Sequence, residues 1–149
     1  MAKTLLLDDA DPRIDYGPRS SWTAVTNSGE SWNLDGTYHR ASTPFSQFFL
    51  TFRGESLSWP FSHTVVDILT LAIGTGISLY GLRGPGGGIL NVVFDGERSS
   101  VYMNSTNPDN SSTRLWSKEG LGDGDHQVFC TTTATDGQAV ANIWLDYFE

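Results

Sequence analysis

Trp22, Trp32, Trp59, Trp116 and Trp144 are many indoles for one short chain, and the chemistry they offer is stacking. Sugars present flat C–H faces that lie against aromatic rings, while their hydroxyls need acids, amides and arginines close by. Trp32 in SWNLDG and Trp116 in RLWSKE stand in polar stretches, where an indole is least enclosed, so they are the expected stacking residues. Trp22 and Trp144 read better as plugs of a core, with the ring buried and the indole N–H in one hydrogen bond. His39 and Arg40, beside Tyr38, form a second group, because imidazole and guanidinium each bridge neighbouring hydroxyls. The expected ligand contacts are therefore Trp32, His39, Arg40 and Trp116. The competing reading of His39 is a structural role.

A third group is acidic: Asp8, Asp9, Asp11 and Asp15, with Asp146 and Glu149 expected beside them. Hard oxygen donors suit calcium. Their spacing does not follow an EF-hand loop, and Asp11-Pro12 is equally a turn initiator. A solvated strand edge is the preferred reading, calcium the lesser one, and no metal or other cofactor is assigned. Catalysis finds no signature. There is no zinc spacing and no G-x-S-x-G, and the glycines from Gly84 to Gly88 lack the Lys-Ser/Thr of a phosphate loop. Cys130 lies in an alternating run and is expected to pack rather than attack. The chain is expected not to be an enzyme.

The charge narrows the partners. Nine Lys+Arg against 17 Asp+Glu give a net charge of -8, with no local basic patch, so nucleic acid and anionic membranes are disfavoured. The longest apolar stretch, Val65 to Ile73, is broken by Asp67 and falls short of the roughly 20 residues needed to span a bilayer. With one cysteine, no intrachain disulfide forms, and 149 residues suit a single domain. The start, MAKTLLLDD, has too short an apolar run for a signal peptide, which leaves a cytosolic chain or one that begins after a removed leader. The sequons Asn104-Ser105-Thr106 and Asn110-Ser111-Ser112 suit the second case and an extracellular setting.

The elements that must position these groups are strands. Leu5–Asp9 and Arg13–Tyr16 read as edge strands split by Asp11-Pro12, followed by Ser21–Thr26 and Gly36–Ala41 around a polar loop that holds Trp32. In the run up to Arg53, Phe48, Leu50 and Phe52 alternate with Phe49, Thr51 and Arg53, so the first set should face the core. Ile77–Leu82 and Ile89–Asp95 flank the glycine run and are expected to form a hairpin. Asp95-Gly96 makes a second turn, Val101 and Tyr102 begin a further strand, and Asn104–Thr113 is a polar loop. Val128, Cys130 and Thr132 alternate with Gln127, Phe129 and Thr131. In the last strand Ile143, Leu145 and Tyr147 should share one face, with Trp144, Asp146 and Phe148 on the other. No helical period or cap stands out, and the first and last strands are expected to lie together. The expected fold is all-β, an antiparallel β-sandwich of jelly-roll type.

Taken in order, several pieces resemble a family of secreted or membrane-tethered proteins from mushroom-forming fungi with a galactose-binding-like β-sandwich ectodomain. They are Asp8 to Tyr16, Trp22, Gly36 to Thr43, Phe49 to Gly54, Gly76 to Gly81, Val93 to Gly96, Gly122 to His126 and Leu145 to Glu149. The resemblance implies a jelly-roll sandwich, an extracellular setting and, by analogy of fold, lectin-like recognition of a glycan or polysaccharide. One departure is the segment Glu55 to Thr75, an insertion relative to that family, suited to an added hairpin, a lid or a self-association surface. The alternative function is a structural or self-associating ectodomain, a homo-oligomer without a sugar site.

Overall fold

The computed structural model describes residues 6–26, 37–54, 73–107, 109, 111–135 and 142–149. Trp32, Trp59 and most of the 55–75 segment lie outside these residues. The described chain forms two six-stranded sheets. In the first, the order is β10 (Thr113–Glu119), β7 (Gly76–Leu82), β12 (Ile143–Phe148), β4 (Thr37–Ala41) and β3 (Trp22–Thr26), with β1 (Leu7–Asp8) beside β12. In the second, the order is β2 (Ile14–Gly17), β5 (Gln47–Gly54), β11 (Gly124–Thr133), β8 (Ile89–Phe94) and β9 (Glu97–Tyr102). There β6 (Ile73–Gly74) runs parallel to the end of β5, whereas every other pairing is antiparallel. The first and last strands do meet, with Leu7 opposite Phe148 and Asp8 opposite Tyr147.

Alternation builds the core as expected. Phe48, Leu50 and Phe52 of β5 are buried, while Thr51 and Arg53 are exposed. From β11, Val128, Cys130 and Thr132 point inward. Leu79, Leu90, Val92, Ile143 and Leu145 complete the layer between the sheets, and the Phe48 and Phe148 rings meet edge-on at 5.9 Å. Each fully buried aliphatic or phenyl side chain contributes roughly 1.5–3 kcal/mol, which lets the domain hold without disulfides.

Three expectations are corrected. β7 and β8 are not a hairpin: they belong to different sheets, and the glycine run crosses between them. Its backbone is occupied elsewhere, with Gly84 N–H donating to Met103 O at 3.0 Å and Met103 N–H to Gly88 O at 2.9 Å. Gly87 lies so close to Met103 that a Cβ there would sit 2.2 Å from its carbonyl oxygen. Second, Val101 and Tyr102 end a strand rather than begin one, because Asp95 and Gly96 take positive φ (47° and 87°) and fold β9 tightly back on β8. Third, the alternation in β12 breaks. A bulge between Leu145 and Tyr147 inserts one residue, so Phe148 joins Ile143 and Leu145 in the core.

Candidate functional site

The acidic cluster is the larger surprise. Asp9 and Asp146 are not solvated edge residues but are 1% and 0% exposed. A buried carboxylate is tolerated only when its oxygens are occupied by donors, and here they are. Thr37 Oγ1 donates to Asp9 Oδ1 at 2.6 Å, and His39 Nδ1 lies 2.5 Å from Asp9 Oδ2. Ser112 donates its hydroxyl to Asp146. The topology explains the first set, because β1 and β4 share the same edge of β12, so the residue after β1 meets the residues that open β4.

Asp8 is drawn into the same network. Its Oδ1 accepts from Ala10 N–H at 2.9 Å and from Thr37 Oγ1 at 3.0 Å. Thr37 has one hydroxyl proton, so it cannot serve two carboxylates fully. Burial, then hydrogen bonding to the neighbouring Asp9 side chain, pushes the Asp8 carboxyl up from 3.8 to about 6. Among the described residues, no group of three or more His, Cys, Asp or Glu side chains is arranged to hold a metal ion.

Strand alternation directs His39 inward. It shares the inner side of β4 with Ala41 and lies opposite Ala24 on one side and Leu145 on the other. Its ring stacks on Tyr16 of β2, in the facing sheet, with centroids 4.2 Å apart and planes 8° from parallel. Tyr16 in turn donates its hydroxyl to the backbone oxygen of Asp9 at 2.8 Å and leans on Trp22 at 4.9 Å. Burial and the charges of Asp9 and Asp8 hold the Tyr16 phenol well above its ordinary value of 10, so it stays a neutral donor. Trp22 is buried and donates its indole N–H to Gln47 O at 2.9 Å, as expected of a core plug.

These side chains wall a groove of about 310 Å³ between edge strands β2 and β3, open past Asp11, Asp15 and Arg19. An adjoining hollow of about 290 Å³ continues it along Trp22 and Ala24. Asp11 is neutralised by Arg13 at 2.6 Å, which holds its carboxyl below the usual range. Arg19 and Asp15 are exposed, and no ion pair among the described residues engages either. The Asp9 contact fixes Nδ1 of His39 as the protonated nitrogen and leaves Nε2 without a hydrogen bond among the described residues. Chemically, the groove offers an aromatic wall, one pre-set imidazole nitrogen, one guanidinium and one carboxylate.

The residues expected from sequence are not brought together. His39 lines the groove, whereas Arg40, one position on, is exposed on the opposite face of β4 between Thr23 and Trp144. Trp116 pairs with Leu79 on the far edge strand and packs half-buried against Phe94 at 5.8 Å. Trp32 lies outside the described residues. Sequence reasoning passed over Tyr16 and Arg19, and it placed Asp9 at a solvated edge. No local signal shows that Tyr16 meets His39, because that contact crosses between sheets. The exposed large apolar side chains among the described residues are Leu6, Phe45 and Tyr102, none of them a tryptophan.

No protein-family model and no curated protein matches the chain. Solved structures do match. A native family 35 carbohydrate-binding module from Clostridium thermocellum superposes with a TM-score of 0.61 at 11% identity, covering 99% of this chain and 96% of that one. A family 35 module from Cellvibrio japonicus gives 0.59 at 12% identity, covering 97% and 91%. A family two carbohydrate esterase from Cellvibrio japonicus also matches, with a TM-score of 0.59 at 12% identity, over 99% of this chain but 33% of that one. The chain thus matches whole modules but spans about a third of the esterase. At these identities the likeness is one of fold, a galactose-binding-like β-sandwich.

Proposed function

We propose that the chain is a non-catalytic carbohydrate-binding module that takes a glycan in the groove beside His39. The observation that carries this reading is the Asp9–His39–Tyr16 arrangement, which presents an oriented imidazole nitrogen over an aromatic wall at an open edge of the sandwich. A pyranose ring needs such a wall for its C–H face, plus fixed polar groups for its hydroxyls, and preorganisation lowers the entropy lost on binding. Arg19 donates to ring or hydroxyl oxygens, Asp15 accepts from hydroxyls, and His39 Nε2 accepts from a hydroxyl between them. Asp9, Asp11 and Asp15 around the groove outnumber Arg13 and Arg19, so the reading favours neutral over acidic glycans. The likeness in fold to family 35 modules supports the same class. Non-catalytic action is supported by the likeness to family 35 carbohydrate-binding modules, which the chain matches over nearly their whole length.

Of the contacts expected from sequence, this reading needs His39. Arg40 and Trp116 fall outside the groove, and Trp32 enters as a stacking residue to be tried by substitution. An extracellular setting, as in a secreted module, belongs to the same proposal. The test is a glycan array followed by calorimetric titration of the best neutral ligand against wild type, R19A, H39A and W32A. Losses of about tenfold or more in R19A and H39A, roughly 1.4 kcal/mol each, are expected. Unchanged affinity in both, or no glycan bound at all, overturns the reading.

A further inference from the structure

We propose that Asn104 is an acceptor for N-linked glycosylation and that the first sugar of that glycan rests on the ring of Tyr102. This does not depend on the groove. The local sequence is Tyr102-Met103-Asn104-Ser105-Thr106, an acceptor sequon with no proline after the asparagine and threonine at its third position. A sequon alone is common by chance. The structure adds two independent observations.

The first is presentation. Met103 is 0% exposed and points into the core, so Tyr102 and Asn104, on either side of it, project outward together. The backbone holding them is fixed. Met103 N–H donates to Gly88 O at 2.9 Å, Gly84 N–H to Met103 O at 3.0 Å and Ser105 N–H to Gly84 O at 3.2 Å. Residues two apart in an extended chain lie about 6.5–7 Å apart on one face, close to the reach of an asparagine amide carrying a pyranose. The second observation is Tyr102 itself, 68% exposed and with no hydrogen bond to its hydroxyl among the described residues. A large ring left in water at the end of a hairpin serves no core. The C–H face of an N-acetylhexosamine on Asn104 would cover it, as an aromatic ring covers another. The other sequon differs, because the Ser112 hydroxyl is given to buried Asp146.

The chemistry is a glycosyl transfer. The Asn104 amide nitrogen attacks C1 of the first sugar of a lipid-pyrophosphate-linked oligosaccharide. The N–C1 bond forms and the C1–O bond to the pyrophosphate breaks, its electron pair leaving with the lipid pyrophosphate. The amide gives up one proton to a base of the transferase, and nothing is oxidised or reduced. Tyr102 takes no part in the transfer and acts as a positioning residue for the product.

The experiment expresses the full chain behind a cleavable secretion leader in yeast and maps its peptides by mass spectrometry. Peptide-N-glycosidase in heavy-oxygen water marks each occupied asparagine as labelled aspartate. We expect Asn104 to be labelled in wild type and the mass shift to vanish in N104Q. Removing the glycan from folded wild type should lower Tm by about 2–4 °C, and in Y102A that difference should disappear while the glycan is still attached. An unmodified Asn104 in the secreted wild type overturns the acceptor assignment. An equal Tm difference in Y102A overturns the role of the ring. If secretion fails, translation with microsomes reads occupancy without it, and no mass shift there overturns the proposal as well.

Discussion

His39 and Asp9 lie 30 positions apart in the chain, yet their side chains meet at 2.5 Å with the carboxylate 1% exposed. Because Thr37 holds the other oxygen, the imidazole is set in one orientation before any ligand arrives. Removing the acid leaves the His39 ring nitrogen without its acceptor and Thr37 with Asp8 alone. Asp9→Ala should therefore destabilise the fold by about 2–4 kcal/mol in urea titration. Asp9→Asn keeps the shape and should cost less, while loosening the ring enough to weaken ligand. A D9A protein as stable as wild type would show that the pair orients nothing.

Asp8 makes a pH prediction of unusual sign. Its folded carboxyl titrates at about 6 against 3.8 ordinarily, so between those values the folded state holds a proton that the unfolded chain has released. Stability contributed by this group therefore falls as pH climbs from about 4 to 6 and does not return above it. Asp8→Asn keeps an oxygen for Ala10 and Thr37 and offers Asp9 an N–H. It should raise the urea midpoint at pH 7 relative to wild type and leave it nearly unchanged at pH 4. A lower midpoint at pH 7 contradicts the assignment.

At the other end of the sandwich His126 faces acceptors on both ring nitrogens, Asp95 Oδ2 at 2.6 Å and Gly122 O at 3.1 Å. Both contacts are satisfied together only by the imidazolium, whose pKa is raised chiefly by the Asp95 hydrogen bond. Asp95, which also accepts Gln127 N–H, is lowered, because these bonds outweigh the opposing burial. The stability from His126 is complete below its unfolded value near 6.5 and is lost as pH rises through the folded value. That from Asp95 is present above about 4 and is lost as pH falls through its lowered value. NMR titration of the ring should give a pKa above 6.5, and Asp95→Asn should bring it down. An unshifted ring in wild type refutes the doubly bonded geometry.

Gly81 marks the tightest approach in the first sheet, where a Cβ would lie 2.2 Å from the Trp144 carbonyl oxygen and 3.0 Å from Leu115. The Trp144 carbonyl is backbone of a paired strand, so it does not yield cheaply. Gly81→Ala should cost about 2–3 kcal/mol or more in urea titration, whereas Gly122→Ala, with open space around it, should cost little. Equal midpoints for the two variants would argue against the β10–β7–β12 register.

Phe45 sits at φ 65° with its ring 70% exposed, so it strains the backbone with little burial in compensation. The turn is pinned from below, with Phe45 N–H donating to Thr132 O at 2.7 Å and Ser46 N–H to Thr132 Oγ1 at 3.1 Å. Phe45→Gly should raise Tm by a few degrees, corresponding to about 1 kcal/mol. A loss of Tm would mean that the ring supports the turn.

The sandwich was legible because burial has a period of two in strands. Phe48, Leu50 and Phe52 in one run and Val128, Cys130 and Thr132 in another identify their inner faces without knowledge of any partner. The bulge in β12 was not legible, since Leu145-Asp146-Tyr147 carries no glycine or proline to mark it. Nor was the crossing at Gly84 to Gly88, where a hairpin and a passage between sheets need the same residues. In the site, His39 stood out by type, but its value depends on Asp9 and Tyr16, which approach from two other strands. Asp9 looked solvated because three acidic neighbours surround it in the chain. Its burial follows only from β1 and β4 sharing one edge of β12.

The pairing of Leu7 with Phe148 means that the chain enters and leaves at one corner of the molecule. Tension applied through the two ends opens that ladder like a zipper, one bond at a time, instead of shearing all its bonds together. Asp9 comes directly after the strand that peels first, and its N–H is the next link, donated to Asp146 O at 2.9 Å. A mechanical load would therefore pull the acid away from His39 while the other strands of both sheets are still paired. Under an optical trap, a bound ligand should let go before the main unfolding step.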